Sequence, residues 1–124
     1  RVLFSGDSLT EIDHVYAFAE VPEGFVETQR ISNKEMNLVR YENGETGAVI
    51  VMSQSITTDY SFSLDSENGE IKTFDTNGKE VKIYCAESQT LYSAFWVEDT
   101  YIMELTYSGE TDTDELLRLI NTIK

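Results

Sequence analysis

Apolar and polar residues alternate in short runs from Phe25 to Tyr107, and turn-forming residues separate the runs. An alternation with a period of two is typical of strands that bury one face, so the pattern predicts a series of β-strands joined by hairpins. Asn43-Gly44 and Asn77-Gly78 are the strongest hairpin signals, because both residue types tolerate the positive φ of a two-residue primed turn. The predicted strands cover residues 25–31, 35–42, 47–54, 60–64, 70–76, 79–85, 90–97 and 100–107.

The spacing of apolar residues changes to that of a helix before and after this region. A short helix is predicted from Ser8 to Glu20, and Pro22 and Gly24 mark the turn that leads into the sheet. A second helix is predicted from Asp112, whose side chain would cap it while Glu115 reaches back as the third helical residue. The apolar stripes of the two helices are Leu9, Ile12, Val15, Tyr16 and Ala19, and Leu116, Leu117, Leu119, Ile120 and Ile123.

The last predicted hairpin has two unequal faces. With a turn at Glu98-Asp99, one face is wholly apolar or aromatic, and we expect the C-terminal helix to cover it. On that face Trp96 would lie opposite Tyr101, Ala94 opposite Met103 and Tyr92 opposite Leu105. The other face mixes Leu91, Phe95, Val97 and Ile102 with Ser93, Glu104 and Thr106. Such a mixture is typical of a partly wet recognition surface, so Leu91, Phe95 and Ile102 are predicted to form an interaction face.

Together these elements predict an α+β fold, in which a strongly twisted antiparallel sheet carries the C-terminal helix on one face and the short N-terminal helix nearby. At 124 residues the chain has the size of one domain. We therefore expect a single domain over residues 1–124. Residues 1–21 would form an N-terminal strand and helix, and residues 22–124 the sheet and the C-terminal helix.

The charge of the chain limits the partners that it can bind. Nine Lys and Arg stand against 23 Asp and Glu, which gives a formal net charge of -14 at pH 7. Nucleic acid and anionic lipid need clustered cations, so neither is expected as the main partner. Cationic partners, divalent ions and cell-wall material stay open, and the expected partner is a protein or a cell-envelope component.

The sequence gives limited information on the compartment. Cys85 is the only cysteine, so no internal disulfide can form and the redox environment stays open. The longest apolar run, Ala48 to Met52, is far too short to span a bilayer, and no signal-peptide pattern is present. Because the chain begins with Arg1, we expect it to be the excised soluble part of a longer protein. Any membrane contact would then be made by an anchor that is absent from this chain.

A set of short segments in a fixed order carries a resemblance to a known family. The set comprises Val21-Pro22-Glu23-Gly24-Phe25, Tyr41-Glu42-Asn43-Gly44, Met52-Ser53-Gln54-Ser55, Ser63-Leu64-Asp65-Ser66-Glu67, Asn77-Gly78-Lys79, Phe95-Trp96 before Tyr101, and the stretch from Asp112 to Ile123. In this order, the chain resembles the family of the domain of unknown function 4367 (DUF4367). The resemblance implies an extracytoplasmic domain at the C-terminal end of a membrane-anchored or lipoprotein-like protein of Gram-positive bacteria. It brings no catalytic residues, since none are established for the family.

One motif points to a different function. Leu3-Phe4-Ser5-Gly6-Asp7-Ser8-Leu9-Thr10 is similar to the first block of the GDSL esterases, in which the serine on a strand-to-helix turn is the nucleophile. Such enzymes also need an oxyanion glycine, a later asparagine and a downstream Asp-x-x-His, and the chain provides none of them. His14, the only histidine, follows Ser8 too closely to take that late position. An esterase fragment is therefore the remote alternative, and Asp7 and Ser8 are explained more simply by a turn and a helix cap.

The other candidates for chemistry also have simpler structural explanations. Cys85 and His14 would be a nucleophile and its base, but Cys85 lies within a predicted strand, where cysteine usually acts as a small apolar residue. An acidic cluster at the start of the second helix lacks the spacing of an EF-hand loop and suits the first turn of a helix. Its members are Glu110, Asp112, Asp114 and Glu115. We therefore predict no enzyme activity, no catalytic or metal-binding residue and no cofactor.

Two classes of function follow. The first is a non-enzymatic sensing or protein-interaction domain outside the cytoplasm, and the second is a carrier or binder of a small apolar ligand. Residues 60–64 and the aromatic hairpin could line a pocket for such a ligand, although aromatic residues more often belong to the core. A closed core between sheet and helix favours the interaction domain, whereas an open apolar cleft of a few hundred Å3 favours the carrier.

Overall fold

The computed structural model of the protein describes residues 12–56, 69–86 and 90–124. These residues form a seven-stranded antiparallel sheet and one α-helix, so the predicted antiparallel sheet with a C-terminal helix is confirmed. The predicted strand over residues 60–64 lies outside the described residues. The strands are β1 (Phe25–Ser32), β2 (Met36–Asn43), β3 (Val49–Ile56), β4 (Gly69–Thr76), β5 (Lys79–Ala86), β6 (Leu91–Glu98) and β7 (Tyr101–Ser108), and the helix is α1 (Thr113–Asn121).

The strand that comes last in the sequence lies at the centre of the sheet. The strand order is β1-β2-β3-β7-β6-β5-β4, and β7 pairs with β3 on one side and with β6 on the other. Every second side chain of β7 is buried, namely Tyr101, Met103, Leu105 and Tyr107. Such a strict alternation suits a central strand with one face on the core, because neighbouring strands cover its inward side chains from both sides.

One face of the sheet, here called the inner face, carries the hydrophobic core, and the opposite face is called the outer face. Ile50 and Met52 of β3 lie on the inner face beside the buried side chains of β7. The buried residues Leu116, Leu119 and Ile120 of α1 pack into the same core. Full burial of a side chain of this size contributes about 1.5–3 kcal/mol. The predicted apolar stripe is therefore what attaches the helix to the sheet.

The start of α1 is capped as predicted in one respect and differently in another. Asp112 is the N-cap, and its carboxylate accepts a hydrogen bond of 2.9 Å from the amide of Glu115. The Glu115 carboxylate does not return the bond, because it forms two hydrogen bonds of 3.0 and 2.6 Å with Arg118. A bidentate contact with a charged guanidinium is stronger than one with a neutral amide. The prediction that Glu115 reaches back was therefore wrong.

The predicted N-terminal helix is absent from its described part. Residues 12–19, here called the N-terminal strap, form no helix and pack on the inner face, while residues 8–11 lie outside the described residues. The apolar spacing suggested a helix, but Val15 and Ala19 are exposed and Phe18 is buried. Helix propensity is a weak preference, and tertiary contacts override it here.

Buried polar side chains of the sheet hold the strap by its backbone. Gln54 of β3 donates from Nε2 to the carbonyl of His14 over 2.7 Å and accepts from the amide of Tyr16 over 2.9 Å. The hydroxyl oxygen of Tyr101 accepts from the amides of Asp13 and His14 over 2.9 and 3.3 Å. The backbone of the strap therefore has side-chain partners in the sheet that replace the hydrogen bonds of a helix.

The end of the strap pairs with the last residues of the chain. Ala17 and Lys124 exchange two backbone hydrogen bonds of 3.2 and 3.0 Å, and the amide of Ala19 donates to the carbonyl of Thr122 over 2.9 Å. Phe18, which lies between Ala17 and Ala19, is buried in the core. Its ring lies edge-to-face against that of Tyr41, with 5.5 Å between the ring centroids. Phe18 is thus the buried side-chain anchor of the strap, and the partly buried side chains of Ile12 and Tyr16 also pack against the core.

The two predicted primed turns have different outcomes. Asn77 and Gly78 both have positive φ, of 50° and 80°, and join directly paired strands, so this turn is confirmed. Asn43-Gly44 is not a two-residue turn, since the positive φ, of 78°, is at Gly47. The Asn43 carboxamide oxygen accepts from the amides of Glu45 and Thr46, which builds a longer loop before β3 begins.

The last hairpin has a different register from the predicted one. Glu98 lies opposite Tyr101, so the turn is Asp99-Thr100, and Asp99 has a positive φ of 61°. Trp96 consequently lies opposite Met103, Ala94 opposite Leu105 and Tyr92 opposite Tyr107. Each partner differs by two residues from the prediction. Because side chains alternate with a period of two, every residue keeps its predicted face.

Candidate functional site

A cleft of about 640 Å3 opens between the start of β1, the β2–β3 loop and one side of α1. This volume lies within the range of ligand sites. Its floor is apolar and aromatic, and its rim is charged. The floor consists of Phe25, Ala48, Tyr107 and Leu119, and the rim of Glu23, Glu110, Glu115 and Arg118.

Two aromatic rings from separate strands form the centre of the cleft floor. Phe25 opens β1 and Tyr107 lies near the end of β7, and their rings meet edge-to-face at 6.1 Å between centroids. Burial raises the pKa of the Tyr107 hydroxyl, and the nearby negative charge of Glu115 raises it further. Tyr107 therefore stays neutral at physiological pH and offers an aromatic surface to a ligand.

Gly109 permits the close approach of the chain at the wall of the cleft. Its φ is 141°, and a Cβ atom built there would lie 2.9 Å from the Cβ atom of Ala48. The amide of Gly109 donates to the carbonyl of Thr90 over 2.8 Å, which fixes this segment against the start of β6. Glycine is required because a side chain would need a strained backbone and would push the β2–β3 loop away.

The charges of the rim leave the cleft acidic. Glu23 and Glu110 are exposed, and Arg118 donates from Nε and Nη2 to the two carboxylate oxygens of Glu115. Three carboxylates against one guanidinium give a net charge of two negative units at the rim. An ammonium or guanidinium group with an aliphatic stem would match this arrangement, since the stem can cover the aromatic floor while the cation meets the carboxylates.

The predicted interaction face on the outer face is not one exposed apolar patch. Leu91 is 39% exposed at the start of β6, whereas Phe95 in the middle of the strand is only 9% exposed. Ile102 is half-buried opposite Val97, which is 54% exposed. Leu91 and Val97 are thus accessible to a partner and Phe95 is not. The role of Leu91, Phe95 and Ile102 in recognition stays a prediction.

Glu104 of β7 gives the outer face a pH-dependent contribution to stability. It lies opposite Phe95 and Ser53, and burial raises its pKa, although a hydrogen bond with Thr106 lowers it in part. A folded-state pKa above the unfolded value means that the ionised carboxylate opposes folding. The protonated Glu104 carboxyl therefore contributes stability that is fully present below its pKa in the unfolded chain, about 4.3. This stability is lost as the pH rises through the pKa of Glu104 in the folded protein.

We expect Glu104→Gln to raise the thermal midpoint at neutral pH, and this gain to shrink as the solution is acidified towards the unfolded pKa. Thermal unfolding of parent and variant across this pH range measures the difference. Glu80→Gln, at an exposed carboxylate of β5, controls for the change in net charge. A gain for Glu104→Gln that is independent of pH, or that the control reproduces, would contradict the role of burial.

The structure does not bring the other chemical candidates together among the residues that it describes. Cys85 pairs with Glu70 and Tyr92 on the inner face and lines a second cavity of about 250 Å3, whereas His14 lies in the strap against Tyr16. Ser8 lies outside the described residues. In the acidic cluster, the Asp112 and Glu115 carboxylates are engaged by the cap and by Arg118. Within residues 12–56, 69–86 and 90–124, no three His, Cys, Asp or Glu side chains are placed to hold a metal ion.

The cleft was not predicted, because its residues come from five separate segments and show no common sequence pattern. The absence of enzyme activity, metal and cofactor stays a prediction. Over the described ranges, no helix is long and apolar enough to cross a bilayer.

Comparison with known proteins places the chain in a family. Neither the curated proteins nor the solved structures give a significant match. The sequence profile of a domain of unknown function, DUF4367, matches residues 15–123, which is most of the chain and covers the sheet, the helix α1 and the strap from Val15 onward. The chain therefore belongs to the DUF4367 family, as the ordered set of segments predicted.

Proposed function

We propose that this protein is a non-enzymatic binding domain, and that the acidic cleft receives a basic segment of a protein partner. We further propose that it acts outside the cytoplasm, as the sensing or interaction part of a membrane-anchored protein. The location follows from what the family resemblance implies. The observation that carries the binding role is the aromatic floor of Phe25 and Tyr107 beneath the acidic rim.

The charge of the whole chain supports a basic partner. A net charge of -14 attracts cationic surfaces over a distance of about 30 Å in dilute salt and accelerates their approach. Each contact between an exposed carboxylate of the rim and a cation is worth only about 0.2–1 kcal/mol. The apolar contact with the floor must therefore supply part of the affinity, which distinguishes binding in the cleft from general attraction to an acidic surface.

A carrier of a small apolar ligand is the second candidate. The volume of about 640 Å3 would hold a small molecule. An apolar ligand would, however, have to displace water from four charged side chains of the rim, which is unfavourable. The core between sheet and helix is also closed, since Ile50, Met52 and Leu105 have no exposed surface. The cleft therefore suits a ligand with a cationic end better than a wholly apolar one.

A fluorescent peptide that alternates lysine and leucine is the direct probe of the proposed function. We expect saturable binding that weakens as salt rises, and no binding of the matched glutamate-leucine peptide. Removing two rim charges with Glu23→Gln and Glu110→Gln should weaken binding about fivefold, as expected for two exposed ion pairs. Fluorescence anisotropy measures the dissociation constant.

The matched control removes two carboxylates at the opposite end of the sheet. Glu80→Gln with Asp75→Asn changes the net charge equally at two exposed, paired positions of β5 and β4. Equal weakening by both double variants would show general attraction and contradict the cleft. A bound apolar molecule in native mass spectra, with no peptide binding, would replace the interaction domain by the carrier.

A further inference from the structure

We propose that the N-terminal strap exchanges between two copies of this chain, so that the strap of each copy fills the groove of the other. The exchanged pair is a symmetric dimer in which every strap contact is kept. This inference goes beyond the proposed function, because it concerns the groove between β3 and the C-terminal residues, which shares with the cleft only the hinge residues Pro22 and Glu23.

The way in which the strap is held makes an identical strap from another copy an equal occupant. Gln54 and Tyr101 bind backbone groups of residues 13–16, and Lys124 and Thr122 bind those of residues 17–19. Within the strap, Phe18 is buried and Ile12 and Tyr16 are partly buried, while the side chains of residues 13–15 are exposed. No covalent link is needed for these contacts, so a strap that arrives from a second copy makes the same ones.

The segment between the strap and β1 has the properties of a hinge. Within it, Pro22 to Phe25 form a closed turn, in which the amide of Phe25 donates to the carbonyl of Pro22 over 3.1 Å. Gly24 has a φ of 87°, and a Cβ atom there would lie 2.6 Å from Nδ2 of Asn43. The closed turn therefore depends on glycine, whereas an open hinge between two copies does not need this conformation.

The balance between the two forms depends on concentration and salt. A strap in its own chain competes with an effective concentration on the order of mM, so the parent should exchange measurably only near that protein concentration. Two chains of net charge -14 also repel each other, and salt screens this repulsion. Exchange should therefore increase with salt, whereas binding of a basic peptide to the cleft decreases with salt.

Gly24→Ala is the decisive variant, with Gly44→Ala as its matched control. Alanine at position 24 strains the closed turn, whereas a Cβ atom at position 44 meets nothing within 4 Å and its φ is not positive. We expect Gly24→Ala to dimerise at a protein concentration about tenfold or more below the parent, as the strain of a left-handed alanine predicts. Gly44→Ala should behave as the parent. Size-exclusion chromatography with light scattering measures the dimer.

A disulfide between copies tests whether the strap crosses. Ala17 and Lys124 exchange both backbone hydrogen bonds, a pairing whose Cα separation allows a disulfide. Copies with Ala17→Cys are mixed with copies with Lys124→Cys, both with Cys85→Ser. When Gly24 is unchanged, we expect a mixed covalent dimer to form at high protein concentration. With Gly24→Ala the dimer should form faster, and with Phe18→Ala, which removes the anchor of the strap, it should not form. Folded copies that form no mixed dimer even at mM concentration, or a dimer that does not cross-link, would overturn the exchange.

Discussion

Leu119→Asp is expected to lower the free energy of unfolding by about 4 kcal/mol or more, which would leave much of the chain unfolded. Leu119 is buried in the core between α1 and the sheet, so the change removes about 1.5–3 kcal/mol of apolar burial. It also places a carboxylate without a cation in an apolar environment, which adds several kcal/mol. Thermal and urea unfolding followed by circular dichroism measure the loss.

The same substitution two positions earlier is the control for this prediction. Leu117 belongs to the same helix but is only half-buried, so Leu117→Asp should cost less than half as much. A thermal midpoint of Leu119→Asp within a degree or two of the parent would show that α1 is not needed to cover the inner face. Equal losses for the two variants would point to an effect on the helix itself instead of on the core.

Gln54→Leu is expected to destabilise the fold by about 1–3 kcal/mol, although it makes a buried residue more apolar. The Gln54 side chain has no exposed surface and satisfies both the carbonyl of His14 and the amide of Tyr16. Leucine has a similar volume but would leave both backbone groups without a partner. Hydrogen exchange should show faster exchange of the strap amides, and urea unfolding should show the lower stability.

Asn37→Leu is expected to stabilise the fold, whereas Gln54→Leu destabilises it. Asn37 of β2 and Gln54 of β3 lie directly opposite each other. The Asn37 side chain is 1% exposed, and within the described part of the chain neither its Nδ2 nor its Oδ1 atom has a hydrogen-bond partner. Replacing a buried carboxamide that lacks partners by an apolar side chain removes a desolvation cost, so we expect a gain of about 1 kcal/mol. Losses of similar size for both variants would show that Asn37 is also satisfied in solution.

The local pattern of this sequence predicted most of the strands and the helix because these features depend on neighbouring residues. The alternation in β7, the Asn77-Gly78 turn and the Asp112 cap each follow from a few adjacent positions. The last hairpin shows the limit of such reasoning, since the turn lies one residue later than predicted. The error did not change which face is buried, because a shift of two residues in pairing preserves the alternation.

The N-terminal helix predicted over residues 8–20 is absent from the described residues 12–20 for a reason that lies elsewhere in the chain. Apolar residues at helical spacing could have formed a helix, but the side chains of Gln54 and Tyr101 and the backbone of Lys124 offer hydrogen-bond partners to the backbone of the strap. These residues lie between 38 and 107 positions away along the sequence. Local periodicity cannot show such partners, since they come together only when the sheet and α1 have formed.

The sequence by itself therefore determined the antiparallel strands, the buried face of the last hairpin, the capped C-terminal helix and the acidic character of the chain. Only the tertiary structure decided the strand order with β7 at the centre, the strap in place of a helix, and the acidic cleft. The reason is the range of the interactions involved. Alternation, turn formation and capping act within a few residues, whereas Phe25, Tyr107 and Glu115 become neighbours through long-range pairing and packing that no short segment encodes.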